Sequence, residues 1–417
     1  MKIENNNKIK VLLLVSGSIA AVKIPLLVSL LIKEDFDVKC VLTKNAEYFV
    51  KPLSLSILSR KSCFLDNDQW EEYQPNPLHI NLCNWADIIV MAPLTATTLS
   101  KWVYGNADGL VSSILIANKK PIIVAPAMNT HMWLNESVQA NYELLKKYSN
   151  VLLINPNEGI LACDQVGIGK MASNDLILLA IKFLALQDGA LKLNDLTNKS
   201  FLITGGATSE KIDPARRISN NSSGAMGVLF AQAARFRGAN VTLIHGPLKL
   251  NHDIKEGIKS LEVKTGEELN NTIKKEISNC DYFIMNAAVT DIKLNTEIST
   301  KIPKTELSQY FLNNIDIVPD ILKDIRELKR ENQLFMGFCA FTGCLENLRT
   351  IVNQKFNSKG CDLIFANPID IKGQGFGSES LNEGWLFDKK GTEHYIEKTS
   401  KLDLANKLIN RIISIDK

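Results

Sequence analysis

Short, mostly apolar runs alternate with amphipathic stretches along the first half of the chain. The runs are rich in β-branched residues, which is typical of strands buried on both faces of a parallel sheet. The stretches between them have helical spacing, and the alternation predicts a doubly wound α/β domain. The predicted strands are Lys10–Val15, Val38–Leu42, Asp87–Met91, Ile122–Ala125 and Val151–Ile154, and the predicted helices are Ile19–Ile32, Leu94–Val103 and Val138–Tyr148.

The same pattern restarts after a polar stretch, Gln187–Ser200. A pair of glycines, Gly205 and Gly206, follows the first new strand, and a helix is predicted over Gly224–Arg237. We therefore predict two α/β domains, residues 1–190 and 191–417, both doubly wound Rossmann-like folds with mainly parallel sheets. The further predicted strands are Phe201–Thr204, Val241–Ile244, Tyr282–Met285, Phe335–Phe338 and Leu363–Ala366.

Composition narrows the class of protein. Of the 417 residues, 45% are apolar and 22% are charged, as in ordinary globular proteins. The formal net charge of +3 gives no reason to expect binding to nucleic acid or to an anionic membrane. No apolar run approaches the length of a membrane helix, and the run Val11–Val15 breaks at Ser16, unlike a secretory signal.

The cysteines bear on metal binding and on the cellular compartment. The chain has eight cysteines and five histidines, and no two cysteines form a C-x-x-C pair. This spacing argues against a zinc site, and no residue is identified as a metal ligand. Scattered single cysteines in a long chain fit a reducing compartment, so we expect a cytoplasmic protein.

Small and hydroxyl-bearing residues follow the predicted strands, at the edge where parallel sheets bind ligands. Within Ser16–Ala21, small side chains let a phosphate approach backbone N–H groups at a helix N-terminus. The spacing is not G-x-G-x-x-G, which argues against a dinucleotide, and a plain strand–helix turn explains the segment equally well. The hydroxyls of Thr95, Thr97 and Thr98 suit a phosphate or a ring, with a helix N-cap as the alternative.

Three further side chains in the first half offer chemistry. The amide of Asn129, within P-A-M-N-T-H-M-W, suits a carboxylate, with an Asx turn as the alternative. Cys163 lies between Gly159 and Gly167, where a reactive thiol and a buried small hydrophobe both stay open. His79 is either structural or a general base, because imidazole titrates near neutral pH.

Taken in order, these strings resemble those of the flavin-containing cysteine decarboxylases, of the phosphopantothenoylcysteine decarboxylase type. The matching strings are G-S-I-A-A, H-I, W-A-D, A-P-L-T-A-T-T, P-A-M-N-x-x-M-W and A-C-D-x-x-G-x-G-K-M, and they cover about residues 8–185. The resemblance implies His79 as the catalytic base, Asn129 as the substrate-binding residue and Cys163 as the acid. It departs from the family at Thr97, where Asn is frequent. The residues implied to bind FMN are Gly17, Ser18, Ile19, Thr43, Thr95, Ala96, Thr97, Thr98 and Ala127.

The resemblance also implies why such a decarboxylase needs a flavin. An amino-acid carboxylate leaves poorly as CO2, because the electrons left behind have no acceptor. Oxidation of the cysteinyl thiol to a thioaldehyde provides that acceptor. After CO2 departs, the reduced flavin and a proton from Cys163 restore the saturated thiol.

The second half has its own anion-binding signals. The glycine turn after Phe201–Thr204 and the segment Asn220–Gly224 at a predicted helix start both suit phosphates, with an N-cap and a flexible loop as the alternative. The guanidinium of Arg216 suits a phosphate or a carboxylate. Lys355 and Lys359 share one face of a helix, either as a solvated surface or as a clamp for a nucleotide triphosphate.

This half resembles the phosphopantothenate–cysteine ligases of the CTP-using bacterial type. The matching strings are I-D-P-x-R-x-I-S-N-x-S-S-G-x-M-G, N-A-A-V-x-D, G-F-x-A and D-L-I-x-A-N, over about residues 198–415. The resemblance implies that Asn220 and Ala288 act on an acyl-nucleotide and that Arg216 and Asn220 bind substrate. Two departures are Phe341, where Glu is usual, and Ile315, where N-P-D-I-V is commoner than N-I-D-I-V. The residues implied to bind CTP are Met285, Asn286, Ala287, Asp291, Lys301, Ile315, Asp316, Ile317, Val318, Phe338, Lys355 and Lys359.

Together the two resemblances imply two consecutive steps of coenzyme A biosynthesis. The ligase joins cysteine to 4′-phosphopantothenate, using CTP and Mg2+ and passing through an acyl-cytidylate. The decarboxylase converts the product, 4′-phosphopantothenoyl-cysteine, to 4′-phosphopantetheine. The resemblance further implies a homo-oligomer in which a flavin-bearing trimer and a ligase dimer combine, for example into a dodecamer.

Two other classes of protein compete with this interpretation. A nicotinamide-dependent oxidoreductase requires G-x-G-x-x-G followed by an acidic residue, and neither half has that glycine spacing. A flavoprotein that has lost catalysis and binds partners is the second alternative. The presence of both His79 and Cys163 argues against it.

Overall fold

The computed structural model describes residues 8–71, 76–162, 164–187, 191–296, 298–371, 373–377 and 381–416. Contacts divide the chain into two units, Met1–Leu193 and Asn194–Lys417, and each unit contains its own main sheet. The sequence places the domain boundary after residue 190, which lies outside the described residues. The assignment of one activity to each of the two domains stays a prediction.

The main sheet of the first unit has six parallel strands in the order β3-β2-β1-β4-β5-β6. This is the order of a doubly wound fold, and the chain reverses direction across the sheet between β1 and β4. All seven residues of β4 are buried, because helices cover both faces of the sheet. The strands are β1 Lys10–Val15, β2 Asp37–Leu42, β3 Cys63–Phe64, β4 Ile88–Leu94, β5 Ile122–Pro126 and β6 Val151–Leu153.

Eight helices and one separate hairpin are assigned in the described part of the first unit. A 3₁₀ turn over Ile19–Lys23 leads into the first helix. The helices are α1 Ile24–Lys33, α2 Pro52–Ser59, α3 Leu78–Trp85, α4 Ala96–Val103, α5 Leu110–Ala117, α6 Thr130–Trp133, α7 Glu136–Leu145 and α8 Asn174–Ala185. The antiparallel hairpin consists of β7 Asn157–Ile160 and β8 Val166–Lys170.

The second unit repeats this strand order and extends it. Its main sheet has the order β13-β12-β9-β14-β17-β18-β19-β20, in which the first six strands are parallel and the last two are antiparallel. Two short antiparallel pairs, β10 with β11 and β15 with β16, lie outside this sheet. The strands are β9 Ser200–Gly205, β10 Ser209–Asp213, β11 Arg216–Ser219, β12 Asn240–His245, β13 Lys259–Glu262, β14 Tyr282–Met285, β15 Ile292–Leu294, β16 Ile315–Ile317, β17 Leu334–Phe341, β18 Leu363–Pro368, β19 Asn382–Asp388 and β20 Glu393–Thr399.

The helices of the second unit complete a fold of the predicted class. Mainly parallel, doubly wound sheets in both halves confirm the fold predicted from the apolar runs. In the parts of the chain that the structure describes, no helix is long and apolar enough to cross a membrane. The helices are α9 Ala225–Phe236, α10 Gly266–Glu276, α11 Leu307–Asn314, α12 Ile321–Ile325, α13 Leu345–Lys359 and α14 Lys401–Asp416.

A buried arginine connects three segments of the second unit. Arg237, which directly follows α9, is 1% exposed. Its guanidinium forms two hydrogen bonds with the Asp195 carboxylate, Nε to Oδ1 at 2.9 Å and Nη2 to Oδ2 at 2.5 Å. Its Nη1 donates to Asn406 at 3.1 Å and to Asn410 at 2.8 Å, both on α14. The buried charge is thus paired and hydrogen-bonded, as a charge in a protein core must be.

Removing the counter-ion should destabilise this unit. In Asp195→Ala the guanidinium stays buried without a carboxylate, so we expect the free energy of unfolding to fall by about 3 kcal/mol. Arg237→Met removes the charge while keeping an unbranched side chain and should cost less. Urea unfolding of the full chain gives the midpoints, and an Asp195→Ala midpoint equal to that of the wild type would contradict this role.

Candidate functional site

A buried serine joins the ends of the two central strands of the first unit. Ser16, 1% exposed, directly follows β1. Its Oγ donates to the Pro93 carbonyl at 2.6 Å and accepts the Thr95 N–H at 3.1 Å. The loop after β4 is therefore held against the loop after β1, at the switch point where doubly wound folds bind ligands.

The residues of these two loops are themselves ordered by hydroxyl caps. The Ser18 Oγ accepts the Ala20 N–H at 3.3 Å at the start of the 3₁₀ turn. The Thr95 Oγ1 accepts the Thr98 N–H at 3.4 Å and caps α4. Thr95 is thus a helix N-cap, which was the alternative to ligand binding for these threonines. The N-cap does not block the segment Thr95–Thr98, which still faces the edge of the sheet where a ligand can bind.

A first cavity of about 340 Å3 opens at this edge. Its volume lies within the range of small-molecule sites. It gathers every residue implied to bind FMN except Ile19, together with Asn129. The lining residues are Gly17, Ser18, Thr43, Asn45, Thr95, Ala96, Thr97, Thr98, Lys101, Ala127, Met128, Asn129 and Met132.

A second cavity of about 380 Å3 shares part of this wall. Ser18, Ala127, Met128 and Asn129 line both cavities, and Ile19 lines the second. Asn129 caps α6, with its Oδ1 accepting the His131 N–H at 2.9 Å. Its side chain therefore stands where the two cavities adjoin.

The β7–β8 hairpin forms the opposite wall of the second cavity. Leu161 and Ala162, in the turn of this hairpin, line the cavity, whereas Cys163 itself lies outside the described residues. The Met128 N–H donates to the Gly169 carbonyl at 3.0 Å and thereby docks β8 on the segment after β5. Gly169 has a φ of +145°, and a Cβ there would overlap the Met128 carbonyl oxygen. This contact gives a structural reason for glycine in the G-x-G-K-M string.

His79 is not brought to these cavities within one chain. It lies on α3, is half-buried, and lines neither the first nor the second cavity. Helix α3 packs against α5, with Leu78 and Leu82 in the core. The implied role of His79 as a base stays a prediction.

Replacing Gly169 by Ala should loosen the hairpin. The added methyl group overlaps the Met128 carbonyl, so we expect exchange of the Met128 amide hydrogen to accelerate roughly tenfold. Gly105→Ala is the matched control, because Gly105 also has a positive φ, +72°, but no atom lies near the added Cβ. Unchanged Met128 exchange in Gly169→Ala, or equal acceleration in both variants, would contradict the packing argument.

The second unit holds its central loops together in the same way. Thr204, fully buried near the end of β9, accepts N–H groups from Asn286 at 3.0 Å and Ala287 at 3.1 Å. The Ala288 N–H then donates to the Gly206 carbonyl at 2.9 Å. The segment 285–288, which is implied to bind CTP, is therefore hydrogen-bonded to the end of β9 and to the glycine turn at Gly205 and Gly206.

Asn220 lies against the same segment. Its Nδ2 donates to the Val289 carbonyl at 2.9 Å, directly after Ala288. The Val318 N–H donates to the Asp291 carbonyl at 2.9 Å, which adds two further residues implied to bind CTP. The structure thus brings together residues that lie far apart in the chain.

The Arg216 guanidinium forms hydrogen bonds within the protein. Its guanidinium donates to Asp213 Oδ2, at 3.0 Å from Nε and 2.5 Å from Nη2, and to the Ile302 carbonyl at 2.7 Å. Hydrogen bonds from Arg216 and then from the backbone N–H groups of Ala215 and Ile302 hold the pKa of Asp213 well below its ordinary value. Arg216 thereby anchors the loop that carries the exposed Lys301. Its predicted contact with substrate stays a prediction.

The two lysines of α13 reach different partners. Lys355 Nζ lies 3.0 Å from the buried Cys339 Sγ, next to Phe338 on β17. Lys359 Nζ lies 2.9 Å from Asp320 Oδ2, at the N-cap of α12. Both ammonium groups therefore face structured partners, and the solvated-surface alternative does not describe them.

Asp320 is a candidate residue of the nucleotide site that the sequence analysis did not identify. Ile315–Ile317 forms β16, whose residues are exposed and pair with β15. The N-P-D-I-V string of the ligase family has a second counterpart, P-D-I, beginning at Pro319. The ion pair with Lys359 favours this later counterpart, and the recurring P-D-I letters are the sequence signal that could have identified it.

Comparisons with known proteins agree with this two-part architecture. A flavoprotein family model matches residues 2–185, and a model for the DNA/pantothenate metabolism flavoprotein C-terminal domain matches residues 196–415. The coenzyme A biosynthesis bifunctional protein CoaBC of Bacillus subtilis is 34% identical over 99% of this chain and 98% of its own. Its counterpart in Haemophilus influenzae is 36% identical over 96% of each chain.

Solved structures resemble the two halves separately. The FMN binding protein AtHal3 is 37% identical, with a TM-score of 0.39, over 44% of this chain and 100% of its own. The C-terminal domain of a CoaBC protein is 28% identical, with a TM-score of 0.43, over 53% of this chain and 97% of its own.

The matched family models define a two-part protein with a flavoprotein half and a pantothenate-metabolism half. The chain belongs to the family of coenzyme A biosynthesis bifunctional proteins. It is accordingly a bifunctional enzyme that combines a decarboxylase with a ligase, and the class predicted from the sequence strings is confirmed.

Proposed function

We propose that the unit Met1–Leu193 decarboxylates 4′-phosphopantothenoyl-cysteine with FMN, and that Asn194–Lys417 makes this compound from 4′-phosphopantothenate, cysteine and CTP. The observation that carries the proposal is the gathering of nearly all residues implied to bind FMN around one cavity at the switch point of the first sheet. The match of a flavoprotein model to the first half supports the order of the two activities along the chain.

Hydrogen-bonding groups of the first cavity suit FMN. Thr43 Oγ1 is buried in its wall and has no hydrogen-bond partner among the described residues, an arrangement that a ligand atom would satisfy. The N-terminal turn of α4, capped by Thr95, lines the same cavity and suits a phosphate. Bound FMN supplies the reversible two-electron chemistry that this decarboxylation needs.

The side chains around the second cavity would handle the substrate. We assign the Asn129 amide to the cysteinyl carboxylate, because Asn129 stands where the two cavities adjoin. Cys163 keeps its proposed role as proton donor, since the preceding residues Leu161 and Ala162 line the second cavity. Buried apolar neighbours such as Ala127 and Met171 would exclude water from the reacting atoms.

The position of His79 supports a homo-oligomer. Because His79 lines neither cavity of its own chain, we propose that it completes the site of a neighbouring copy. Elsewhere on the same unit, helices α1 and α2 pack against each other and expose Leu26 at 66%, Leu53 at 70% and Ile57 at 68%, an apolar surface suited to subunit contact. The trimer, and the dodecamer that a ligase dimer would add, are part of this proposal. A monodisperse monomer in light scattering that still binds FMN would exclude it.

In the ligase half, positive charge would drive the activation of the carboxylate. The 4′-phosphopantothenate carboxylate attacks the α-phosphorus of CTP, forming an acyl-cytidylate and releasing pyrophosphate. The cysteine amine then displaces CMP. Lys301, Lys355 and Lys359, with Mg2+ on the phosphates, would balance the charge that develops on the triphosphate.

A cytoplasmic location fits the cysteines. The seven cysteines that the structure describes are all free thiols, and Cys344 among them is exposed. Exposed thiols persist in reducing compartments and pair or oxidise elsewhere. We therefore propose that the enzyme works in the cytoplasm.

Substitution of the three lysines should affect the ligase reaction and not the decarboxylase reaction. We expect Lys301→Gln, Lys355→Gln and Lys359→Gln each to slow CTP-dependent pyrophosphate release about 100-fold, because each removes one charge that opposes the triphosphate. Decarboxylation of supplied 4′-phosphopantothenoyl-cysteine should persist, because it belongs to the other unit.

Lys390→Gln is the matched control, since Lys390 is exposed in the turn between β19 and β20. It should leave both reactions unchanged. Normal pyrophosphate release in all three lysine variants would refute the nucleotide assignment. Failure of the wild-type protein to form 4′-phosphopantetheine from 4′-phosphopantothenate, cysteine and CTP would refute the function as a whole.

A further inference from the structure

A lysine ammonium lies directly against a buried thiol in the second unit. Lys355 Nζ, on α13, is 3.0 Å from Cys339 Sγ, on β17. Cys339 is 2% exposed and belongs to the same core cluster as Leu348 and Val352 of α13. The two groups therefore meet where the strand and this helix share their core.

This contact distinguishes Cys339 from the other cysteines that the structure describes, because only its sulfur has a lysine nitrogen within hydrogen-bonding distance. Burial raises the pKa of the Cys361 thiol to about 12 and that of Cys280 to about 11, so both thiols keep their protons. An ammonium group stabilises negative charge on a sulfur that it touches, and the thiolate is the form that peroxides oxidise. Cys339 thus combines a site of oxidation with a nucleophile beside it.

The Lys355 ammonium has no competing carboxylate. No aspartate or glutamate among the described residues forms an ion pair with it, whereas Lys359, one turn further along α13, pairs with Asp320 at 2.9 Å. The Lys355 nitrogen therefore has two partners to choose between. One is the Cys339 sulfur, and the other is the triphosphate of the proposed function.

The contact lies close to the protein surface. Cys339 is two residues from the end of β17, the next residue, Ala340, is exposed, and Lys355 is half-buried. A small oxidant such as hydrogen peroxide therefore has a short path to the sulfur. The path opens at the carboxyl end of the strand, where ligands of this fold bind.

We propose that Cys339 and Lys355 form a reversible redox switch of the ligase, in which a peroxide joins the sulfur to the nitrogen. Hydrogen peroxide oxidises the thiol to a sulfenic acid and is itself reduced, releasing one water. Lys355 gives its ammonium proton to solvent, and its amine attacks this sulfur. An S–N bond forms and the sulfenic hydroxyl leaves as a second water, as when sulfenic acids condense with backbone nitrogens.

The link removes the charge that the proposed ligation needs. A nitrogen bonded to sulfur is not basic, so Lys355 no longer opposes the charge of the triphosphate, and ligation slows. A thiol reductant reverses the change by attacking the sulfur, which releases the Lys355 amine and then the Cys339 thiol. The slowing rests on the proposed nucleotide role of Lys355, whereas the S–N link rests only on the observed contact.

The test treats the full-length protein with hydrogen peroxide and follows a peptide map and CTP-dependent pyrophosphate release. We expect a joined peptide pair that contains Cys339 and Lys355 and is lighter by two hydrogen atoms than the separate peptides together. In the linked protein, pyrophosphate release should fall about 100-fold, as expected for Lys355→Gln. Dithiothreitol should restore both the separate peptides and the rate.

Two variants separate the link from general oxidation. Cys339→Ala removes the sulfur, so peroxide should form no joined pair and should leave pyrophosphate release as it was in that variant before treatment. Cys344→Ser is the matched control, because Cys344 is exposed and directly precedes the same helix. This variant should keep both the joined pair and the reversible loss of activity.

Three results decide the matter. Absence of the joined pair in peroxide-treated wild-type protein overturns the switch, whether Cys339 stays a thiol or becomes a sulfinic acid. Equal loss of activity in the wild type and in Cys339→Ala also overturns it. A joined pair without loss of pyrophosphate release supports the S–N link and counts instead against the nucleotide role proposed for Lys355.

Discussion

A buried hydroxyl at the end of the first strand is the constraint on which both sites depend. In the first unit Ser16 bridges the Pro93 carbonyl and the Thr95 N–H, and in the second unit Thr204 accepts the N–H groups of Asn286 and Ala287. Two parallel strands hydrogen-bond along their length, but beyond their carboxyl ends the backbone groups have no regular partners. One hydroxyl supplies these partners and fixes the two ligand loops against each other.

This fixation explains why the candidate residues gather although they are distant in sequence. In the first unit the loops after β1 and β4 line one cavity, with the segment after β5 adjoining it. In the second unit the Ala288 segment, the glycine turn and Asn220 are linked by consecutive hydrogen bonds. The two halves thus use one architectural device for two different anionic ligands, FMN and CTP in our proposal.

Much of the fold was predictable from the sequence, because buried parallel strands leave a strong local pattern. Lys10–Val15 and Tyr282–Met285 form strands with the predicted bounds. The two antiparallel strands β19 and β20 and the β7–β8 hairpin were not predicted. Strand β20 is mostly exposed and β7–β8 is glycine-rich, so neither contains a continuous apolar run.

The sequence identified which residues lie at the candidate sites better than it identified the contacts that these residues make. Sequence strings pointed to residues that line the first cavity, because small and hydroxyl side chains directly after predicted strands are a local pattern. They did not reveal that Arg216 is engaged by Asp213, that Lys359 pairs with Asp320, or that His79 lies away from its own cavity. Those facts depend on long-range packing, which no local pattern encodes.

The most direct measurement is a paired comparison of Ser16→Ala and Thr204→Val in the full-length enzyme. Ser16→Ala removes the acceptor of the Thr95 N–H and a donor to the Pro93 carbonyl, and Thr204→Val removes the acceptor of the Asn286 and Ala287 N–H groups. Each loss costs about 1–3 kcal/mol for each group, but only in its own unit. We predict that Ser16→Ala lowers FMN retention and decarboxylation while CTP-dependent pyrophosphate release persists, and that Thr204→Val does the reverse. Equal loss of both reactions in each variant, or no loss in either, would contradict the claim that one hydroxyl organises each site.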